Sequence, residues 1–383
     1  MHSHHIKRTA TMALLATTAV MCLNPAHAGP TAELGDEWQR LDQKMQHTAL
    51  PESKELAKSK SGHKPDGSFP LAANGERFDA MLVMEDGTAY GREGDIDLGY
   101  LMPPEGFGAF NPDRYSDGPE SAKPDDEDLS RSIVGGNLNS DRRTRVSNPA
   151  TLDNYPFRTI GALSSTGNTK HGGCTGVMIG PRHVLTAAHC LHDSEGNWYS
   201  PIYFNPGQTN TTRVNGSHRM VARWARDHGV HRKYDYGVIV LEDSPRVASL
   251  GWMGIAWWNN RATYGGRFAY NKGYPLDHLQ CKASPLASKR CDGWMYADSH
   301  SLAANAATGS HLLQYDIDTQ KGHSGSPVYT YLGGKPAVLG VHAAAVGNGM
   351  LNHGARFRSS MYNDVCSWIG AIDSAFASHP NCN

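Results

Sequence analysis

Three short segments in a fixed order constrain this chain more than any other feature. Residues 186–190 (TAAHC) place a histidine after an apolar run, Asp235 opens a second apolar run, and residues 322–327 (GHSGSP) carry a serine between two glycines. A serine hydroxyl attacks a carbonyl at neutral pH only when an imidazole takes its proton and a carboxylate orients the imidazole. The chain supplies all three groups, in the order His189, Asp235, Ser324.

This order limits the fold. An α/β-hydrolase has its nucleophile in a G-x-S-x-G turn and places serine before the acid and the histidine. Here Ser326 stands where the second glycine of that motif belongs, and the histidine comes first. The order and the local segments resemble instead the chymotrypsin-type serine peptidases, from about Ser132 to the C-terminus.

The resemblance implies a role for each residue. His189 is the expected general base, Ser324 the nucleophile, and Asp235 the acceptor of the imidazole N–H. Other aspartates lie between the histidine and the serine, but among those compared (Asp193, Asp227 and Asp277) none directly precedes an apolar strand-like run as Asp235 does.

The glycines beside the serine have expected roles too. Gly322 is expected to turn the backbone so that its N–H and that of Ser324 point at the developing oxyanion. Gly325 is expected to let the substrate approach closely.

Short β-rich runs separated by Gly, Pro, Asn and Ser predict an all-β chain. The strand candidates are residues 157–163, 174–179, 183–187, 236–241, 328–331 and 337–342, and residues 332–336 (LGGKP) predict a hairpin turn. Met361, Val365, Trp368, Ile369 and Ile372 recur at helical spacing and predict a closing helix. Two antiparallel six-stranded β-barrels followed by that helix are what the resemblance implies, because counting strands does not separate barrels from a sandwich.

The first residues are typical of a secretory signal. Residues 1–28 contain Lys7 and Arg8, an apolar stretch at 12–23 and the small-residue sequence 26–28 (AHA). The apolar stretch is too short to span a bilayer. We therefore expect cleavage before Gly29 and a secreted protein, extracellular or periplasmic, that does not bind a membrane.

Residues 29–131 are polar, interrupted by Gly and Pro, and end in an acidic run at 123–128 (KPDDED). This composition predicts a propeptide that is partly ordered around residues 78–84 and ends in a cleavable linker. A separate small binding domain is the alternative. The peptidase domain is then expected at residues 132–383.

Several separated segments resemble one branch of the family, the bacterial glutamyl endopeptidases of the staphylococcal V8 and Bacillus type. They are residues 141–146 (DRRTRV), 174–181 (CTGVMIGP), 234–237 (YDYG), 273–275 (GYP) and 313–319 (LQYDIDT). The resemblance implies processing at the bond between Arg131 and Ser132, although self-cleavage after Glu127 is a further option. Activation as in animal trypsins is excluded, because His323 stands where that mechanism needs an aspartate.

The same resemblance implies a pocket for the substrate residue before the scissile bond, called P1. Thr319 and His342 match the groups that bind a P1 glutamate in this branch, and Lys321 is a candidate cation at the rim. Asp318 argues against glutamate, because trypsins that cleave after Arg or Lys have an aspartate at this position. Cleavage after Glu is the favoured expectation and cleavage after Arg or Lys the alternative.

Cysteines support export. The chain has seven, and removal of the signal with Cys22 leaves an even number, which favours disulfides. The resemblance pairs Cys174 with Cys190, and sequence proximity suggests Cys281 with Cys291 and Cys366 with Cys382. Free or zinc-binding thiols remain the alternative, although no C-x-x-C pair occurs.

These observations predict a monomeric serine endopeptidase whose partners are peptide substrates and its own propeptide. Neither a cofactor nor a metal is expected, and a formal net charge of −1 argues against nucleic acid binding. A protease-fold binding protein is the non-enzymatic alternative. Such proteins usually lose a triad residue, and none is missing here.

Overall fold

Strands dominate the structure, a computed structural model. It describes residues 39–40, 47–48, 80–84, 89–92, 142–166, 173–193, 197–209, 212–226, 234–258, 260–275, 293–308, 311–332, 334–345 and 351–372. Within these residues the strands form two large sheets and one two-stranded sheet. The all-β prediction therefore agrees with the described part of the chain.

The strands of the first half, in chain order, are β1 (Gln39–Arg40), β2 (His47–Thr48), β3 (Ala80–Met84), β4 (Ala89–Arg92), β5 (Thr144–Val146), β6 (Ile160–Ser164), β7 (Cys174–Met178), β8 (His183–Thr186), β9 (Trp198–Tyr199) and β10 (Tyr203–Pro206). Those of the second half are β11 (His218–Arg226), β12 (Gly237–Leu241), β13 (Gly254–Ile255), β14 (Phe268–Gly273), β15 (Met295–Ser301), β16 (Ala307–Thr308), β17 (Leu312–Tyr315), β18 (Pro327–Leu332), β19 (Lys335–Ala345) and β20 (Asn352–Arg356).

The first sheet closes on itself. Its strands follow the order β11, β10, β6, β7, β8, β12, and β12 pairs again with β11, which gives a six-stranded barrel. Every residue of β6, β7, β8 and β12 is buried, as their short apolar runs predict. This barrel agrees with one of the two six-stranded barrels that the resemblance implies.

Strands from the N-terminal third extend this sheet. β3 pairs antiparallel with β11, β4 pairs with β3, and β1 pairs with β4. Separately, β2 lies parallel to β9. Order was predicted around residues 78–84, and β3 lies there.

The second sheet has the order β16, β17, β20, β19, β18, β14, β15, β5, and β13 pairs with β19. The pairings among the described strands leave this sheet open, so the second closed barrel of the sequence-based expectation is not seen in them. The predicted hairpin between β18 and β19 is present, with β18 ending at Leu332 and β19 starting at Lys335.

One predicted strand starts later than expected, and two short helices were not predicted. Residues 157–159 form a 3₁₀ turn and β6 begins only at Ile160. Short helices α1 (Pro149–Asp153) and α2 (Pro245–Ala248) were not predicted, although each begins with a proline after a capping side chain, Asn148 or Ser244.

A helix, α3 (Ser359–Ile372), lies at the end of the described chain. Its Trp368 stacks on Trp224 of β11 at 6.2 Å between ring centroids and also contacts the ring of Tyr236. The helix therefore packs against the first barrel at the two strands that precede and follow the loop containing Asp235.

Some expectations fall outside the described residues. These are the signal at 1–28, the processing bond between Arg131 and Ser132, and Glu127. Among the helices that the structure describes, none combines the length and the apolar character needed to cross a bilayer.

Candidate active site

Adjacent strands of the first barrel bring the predicted base and carboxylate together. His189 lies in a 3₁₀ turn (Ala188–Cys190) after β8, and Asp235 lies just before β12. Because β8 and β12 pair, with Gly237 opposite Thr186, the two side chains meet. His189 Nδ1 is 2.7 Å from Asp235 Oδ2, and the His189 backbone N–H donates to Asp235 Oδ1 at 3.1 Å.

The burial of this pair fits its predicted role. The Asp235 side chain is 2 % exposed, whereas that of His189 is 25 % exposed. A buried carboxylate that accepts two hydrogen bonds from one residue fixes the orientation of the imidazole.

Ser324 lies in the turn before β18 of the second sheet, but its backbone is bound to the first sheet. The Thr175 N–H donates to the Ser324 carbonyl at 2.8 Å, and Cys190 Sγ lies 3.6 Å from the same oxygen. Cys190 directly follows His189 and forms the predicted disulfide with Cys174. The structure thus places the nucleophile segment against the turn that carries the histidine.

Two backbone N–H groups distinguish the nucleophile loop. The N–H groups of His323, Gly325 and Ser326 donate to backbone carbonyls, but among the described residues those of Gly322 and Ser324 have no such acceptor. Gly322 has a φ of 99°, which favours glycine, and its carbonyl accepts from Thr175 Oγ1 at 2.8 Å. These two N–H groups, which lack a backbone acceptor among the described residues, are the ones predicted to bind the oxyanion.

Gly325 has a different role from the one predicted. A Cβ added there would lie 2.1 Å from Thr186 Oγ1 and 2.2 Å from the Thr175 carbonyl oxygen, at a φ of 86°. The glycine is therefore required by close packing against the first barrel. Substrate approach does not explain it.

His323 is held by a residue that the sequence reasoning missed. The His323 side chain is fully buried, and its Nδ1 lies 2.8 Å from Asn271 Oδ1. Asn271 Nδ2 donates to Ser326 Oγ and to the Pro327 carbonyl, so Oδ1 is the acceptor and His323 Nδ1 is protonated. Burial lowers the pKa of His323 well below its ordinary value, which keeps it neutral.

The predicted pocket residues Thr319 and His342 are both buried, at 2 % and 4 % exposure. His342 Nδ1 lies 2.6 Å from the hydroxyl of Tyr315, whose pKa is raised by burial. Burial lowers the pKa of His342 to about 3; the charges of His353 and His189 add to this effect and that of Asp235 opposes it. The imidazole is therefore neutral at pH 7.

Asp318 is paired with Arg142, which the sequence did not identify as a site residue. Arg142 donates its backbone N–H to Asp318 Oδ2 at 2.8 Å and places Nη2 3.2 Å from Asp318 Oδ1. The same Nη2 lies 3.0 Å from Asp316 Oδ1 and 3.5 Å from Asp298 Oδ2. Asp318 is 3 % exposed, and the charge of Arg142, which it shares with Asp316 and Asp298, offsets part of its own.

The remaining predicted site residues are less informative. Lys321 is exposed at the surface. Cys366 is disulfide-bonded, and its partner lies outside the described residues, as do Cys281, Cys291 and Cys382.

One group in the described chain has the residue types of a metal site, namely Cys174, His189 and Cys190. Its two sulfurs are bonded to each other. A disulfide sulfur is not the thiolate that binds metals, so this group does not fit a metal ion.

A buried polar cluster connects the residue after Asp235 with β11 and helix α3. Tyr236 donates a short hydrogen bond to Asp364 of α3, and Arg226 Nε lies 3.2 Å from the same carboxylate oxygen. The side chains of Arg226 and Asp364 are 4 % and 2 % exposed. The hydrogen bond therefore holds Tyr236, the residue that follows Asp235, to helix α3, and Arg226 pairs with the carboxylate that accepts this bond.

Comparisons with known proteins agree with this arrangement. The model of the trypsin-like peptidase domain matches residues 174–341. A glutamyl endopeptidase of Bacillus licheniformis is 30% identical over 247 residues, which cover 62% of this chain and 69% of that protein. A protein of Bacillus subtilis named extracellular metalloprotease is 28% identical, over 70% of this chain and 79% of its own.

A solved structure of a Glu endopeptidase has a TM-score of 0.49 and 25% identity, and the match covers 64% of this chain and 100% of that chain. From the domain match and the Bacillus licheniformis relative it follows that the chain belongs to the V8-like branch of the chymotrypsin family and is a serine endopeptidase.

Proposed function

We propose that Ser324, His189 and Asp235 are the catalytic triad of this endopeptidase. Ser324 Oγ attacks the scissile carbonyl while His189 Nε2 takes its proton and then gives that proton to the leaving amine. Water hydrolyses the resulting acyl-enzyme by the same route. The 2.7 Å contact between His189 and Asp235 supports this assignment, because it orients the ring and stabilises the imidazolium.

The N–H groups of Gly322 and Ser324 form the oxyanion hole in this proposal. Both lack a backbone acceptor in the described chain, so they are available to an oxyanion without breaking an existing backbone bond. Thr175 and Asn271 position the loop, because Thr175 binds the Gly322 carbonyl and Asn271 binds His323.

We propose further that the enzyme cleaves after glutamate. The observation that carries this proposal is the pairing of Asp318 with Arg142. A free carboxylate at this position would attract a basic P1 residue, whereas one paired with an arginine attracts it less. Cleavage after Arg or Lys, the alternative from the sequence, thereby loses its main support.

His342 and Thr319 are the proposed donors to the P1 carboxylate. The Tyr315 hydroxyl has a raised pKa and donates to His342 Nδ1, which leaves the proton of the neutral ring on Nε2. Nε2–H is then the donor to the glutamate side chain. The relative named glutamyl endopeptidase supports the same substrate class.

The protein is proposed to be made as an exported precursor. Residues 1–28 are the signal, residues 29–131 the propeptide and residues 132–383 the peptidase, with processing after Arg131. The extracellular relative of Bacillus subtilis supports export.

A peptide library with every P1 residue, incubated with the processed protein, tests the specificity. We expect cleavage after Glu to dominate, and His342→Ala to lower kcat/KM for Glu peptides while cleavage after other residues changes little. Preferred cleavage after Arg or Lys would refute the proposal. His300→Ala, at an exposed position of β15, is the matched control and should leave the profile unchanged.

A further inference from the structure

One edge of β11 is shared by two partner strands, β10 and β3. Along one edge, residues 220–225 of β11 pair with β12. Along the other, β10 pairs only with His218 and Arg219. Residues 222–226 are left to a strand from outside the barrel, and β3 supplies it.

The N-terminal hairpin, formed by β3 and β4, pairs with this edge in continuous register. Ala222 lies opposite Met84 and Arg226 opposite Ala80, with the residues between them paired in turn. β4 then pairs with β3 along its outer side. The hairpin therefore adds strands to the sheet, which is a recurring way for a separate peptide to bind a protein.

Side chains of the hairpin are part of the main hydrophobic core. Val83 and Ala89 are fully buried and Tyr90 is 4 % exposed, and all three belong to the same apolar cluster as the barrel interior. Burial of this kind is typical of an interface that persists. Removal of the hairpin would expose its own apolar side chains and the barrel side chains that they contact. It would also leave residues 222–226 as an unpaired strand edge, and such edges promote aggregation.

The covered edge ends beside the candidate site. Arg226, the last residue of β11, donates its N–H to the Tyr236 carbonyl at 3.2 Å and pairs with Asp364. Tyr236 is the neighbour of Asp235. The hairpin thus borders the strand end that leads to the catalytic carboxylate.

We propose that the β11 edge at residues 222–226 is a docking surface for the chain's own N-terminal hairpin, and that this contact survives cleavage of the chain between them. The active enzyme is then a complex of two chains, in which the propeptide fragment completes the first sheet. This inference rests on the proposed processing after Arg131 but goes beyond the proposed function, since neither the triad nor the P1 specificity requires the fragment to stay.

The test introduces a recognition sequence for a specific protease in place of residues 128–131. The full-length exported chain carries Ser324→Ala so that it does not cut itself. After cutting, native size-exclusion chromatography and mass spectrometry report whether the two fragments elute together. We expect co-elution, and separation of the fragments under native conditions would overturn the proposal.

Val83→Asp probes the docking surface directly. A carboxylate in the apolar core has no partner there, so we expect the cut fragment to be released. Leu351→Asp, a change of the same kind at a position that is 37 % exposed, is the matched control and should not release it. Retention of the Val83→Asp fragment at control level would contradict the assigned surface.

Hydrogen exchange covers the case in which Val83→Asp fails to fold. In the cut protein without that substitution, the β11 amides that face β3 should exchange as slowly as in the uncut protein. Fast exchange at these amides after cutting would show that the hairpin has left, and would overturn the proposal even if the fragments co-elute.

Discussion

The two large sheets contribute to the candidate site by different means. The first sheet holds His189 just after one strand and Asp235 just before its directly paired neighbour, 46 residues apart in sequence. The second sheet holds Ser324 and the pocket through side chains from far away, such as Thr175 on Gly322 across 147 residues and Arg142 on Asp318 across 176. Strand pairing therefore fixes the base, whereas a set of polar contacts fixes the nucleophile loop and the pocket.

The largest expected effect is on kcat, and it tests whether residues held by the two sheets act as one unit. Ser324→Ala or His189→Ala should each lower kcat by about a millionfold, and the double variant should lose little more, because base and nucleophile serve a single step. Steady-state kinetics on a Glu peptide measure this, with circular dichroism to show that the fold is intact. Additive losses in the double variant would mean that the sheets contribute independently.

The contact between the sheets is tested by Gly325→Ala. The new methyl group would collide with Thr186 and Thr175 of the first barrel at a positive φ, so we expect a loss of about 3 kcal/mol or more in the free energy of unfolding. Gly334→Ala is the control, because it has a similar φ of 79° but no atom within 4 Å of the added Cβ. Its expected cost is about 1 kcal/mol. Equal costs in urea denaturation would contradict close packing as the reason for Gly325.

The long-range contacts of the second sheet are tested by Arg142→Ala. Without the guanidinium the buried Asp318 carboxylate keeps the hydrogen bond from the backbone N–H of residue 142 but loses that positive charge, and we expect kcat/KM for Glu peptides to fall about 10- to 100-fold relative to Lys peptides. Adding Asp318→Asn should restore most of the selectivity. Arg145→Ala removes a neighbouring arginine that lies over the Trp294 ring, and it should leave selectivity unchanged. Unchanged selectivity in Arg142→Ala would mean that Asp318 does not influence the P1 pocket.

The smallest effect is a pH dependence that comes from the second sheet. Burial lowers the pKa of His323 and of His342 below the ordinary 6.5, so both stay neutral in the fold while the unfolded chain takes up protons as pH falls. The free energy of unfolding should therefore decrease below about pH 6.5, by at most about 1.4 kcal/mol per pH unit for each histidine. Urea denaturation between pH 7.5 and 5 should show a shallower slope for His323→Asn, whereas exposed His300→Asn should keep the original slope.

The contrast between strand pairing in the first sheet and long-range polar contacts in the second also explains what the sequence could predict. The residues around His189 and Asp235 lie in local motifs beside short apolar runs, and such runs predict buried strands. β11 escaped prediction because Arg219, Arg223 and Arg226 interrupt its pattern. Two of these arginines are buried, with Arg223 over the Trp198 ring and Arg226 paired with Asp364.

Within the site, the partners of the nucleophile loop were the part that could not be predicted. Asn271 and Arg142 have no motif of their own, and their importance depends on which residues the fold brings to them. Arg142 did lie in a segment that resembles the glutamyl endopeptidases, but nothing local indicated that its partner is Asp318. Because this pairing could not be foreseen, the sequence left open whether Asp318 would repel a P1 glutamate.

The contact between Tyr236 and Asp364 has a consequence for the timing of synthesis. The two residues are 128 positions apart, and the helix that carries Asp364 is made after every other described element. While the chain is still on the ribosome, the residue next to Asp235 therefore lacks its partner, as does the buried Arg226. The loop that contains Asp235, the proposed catalytic carboxylate, therefore gains these contacts only after helix α3 has left the ribosome.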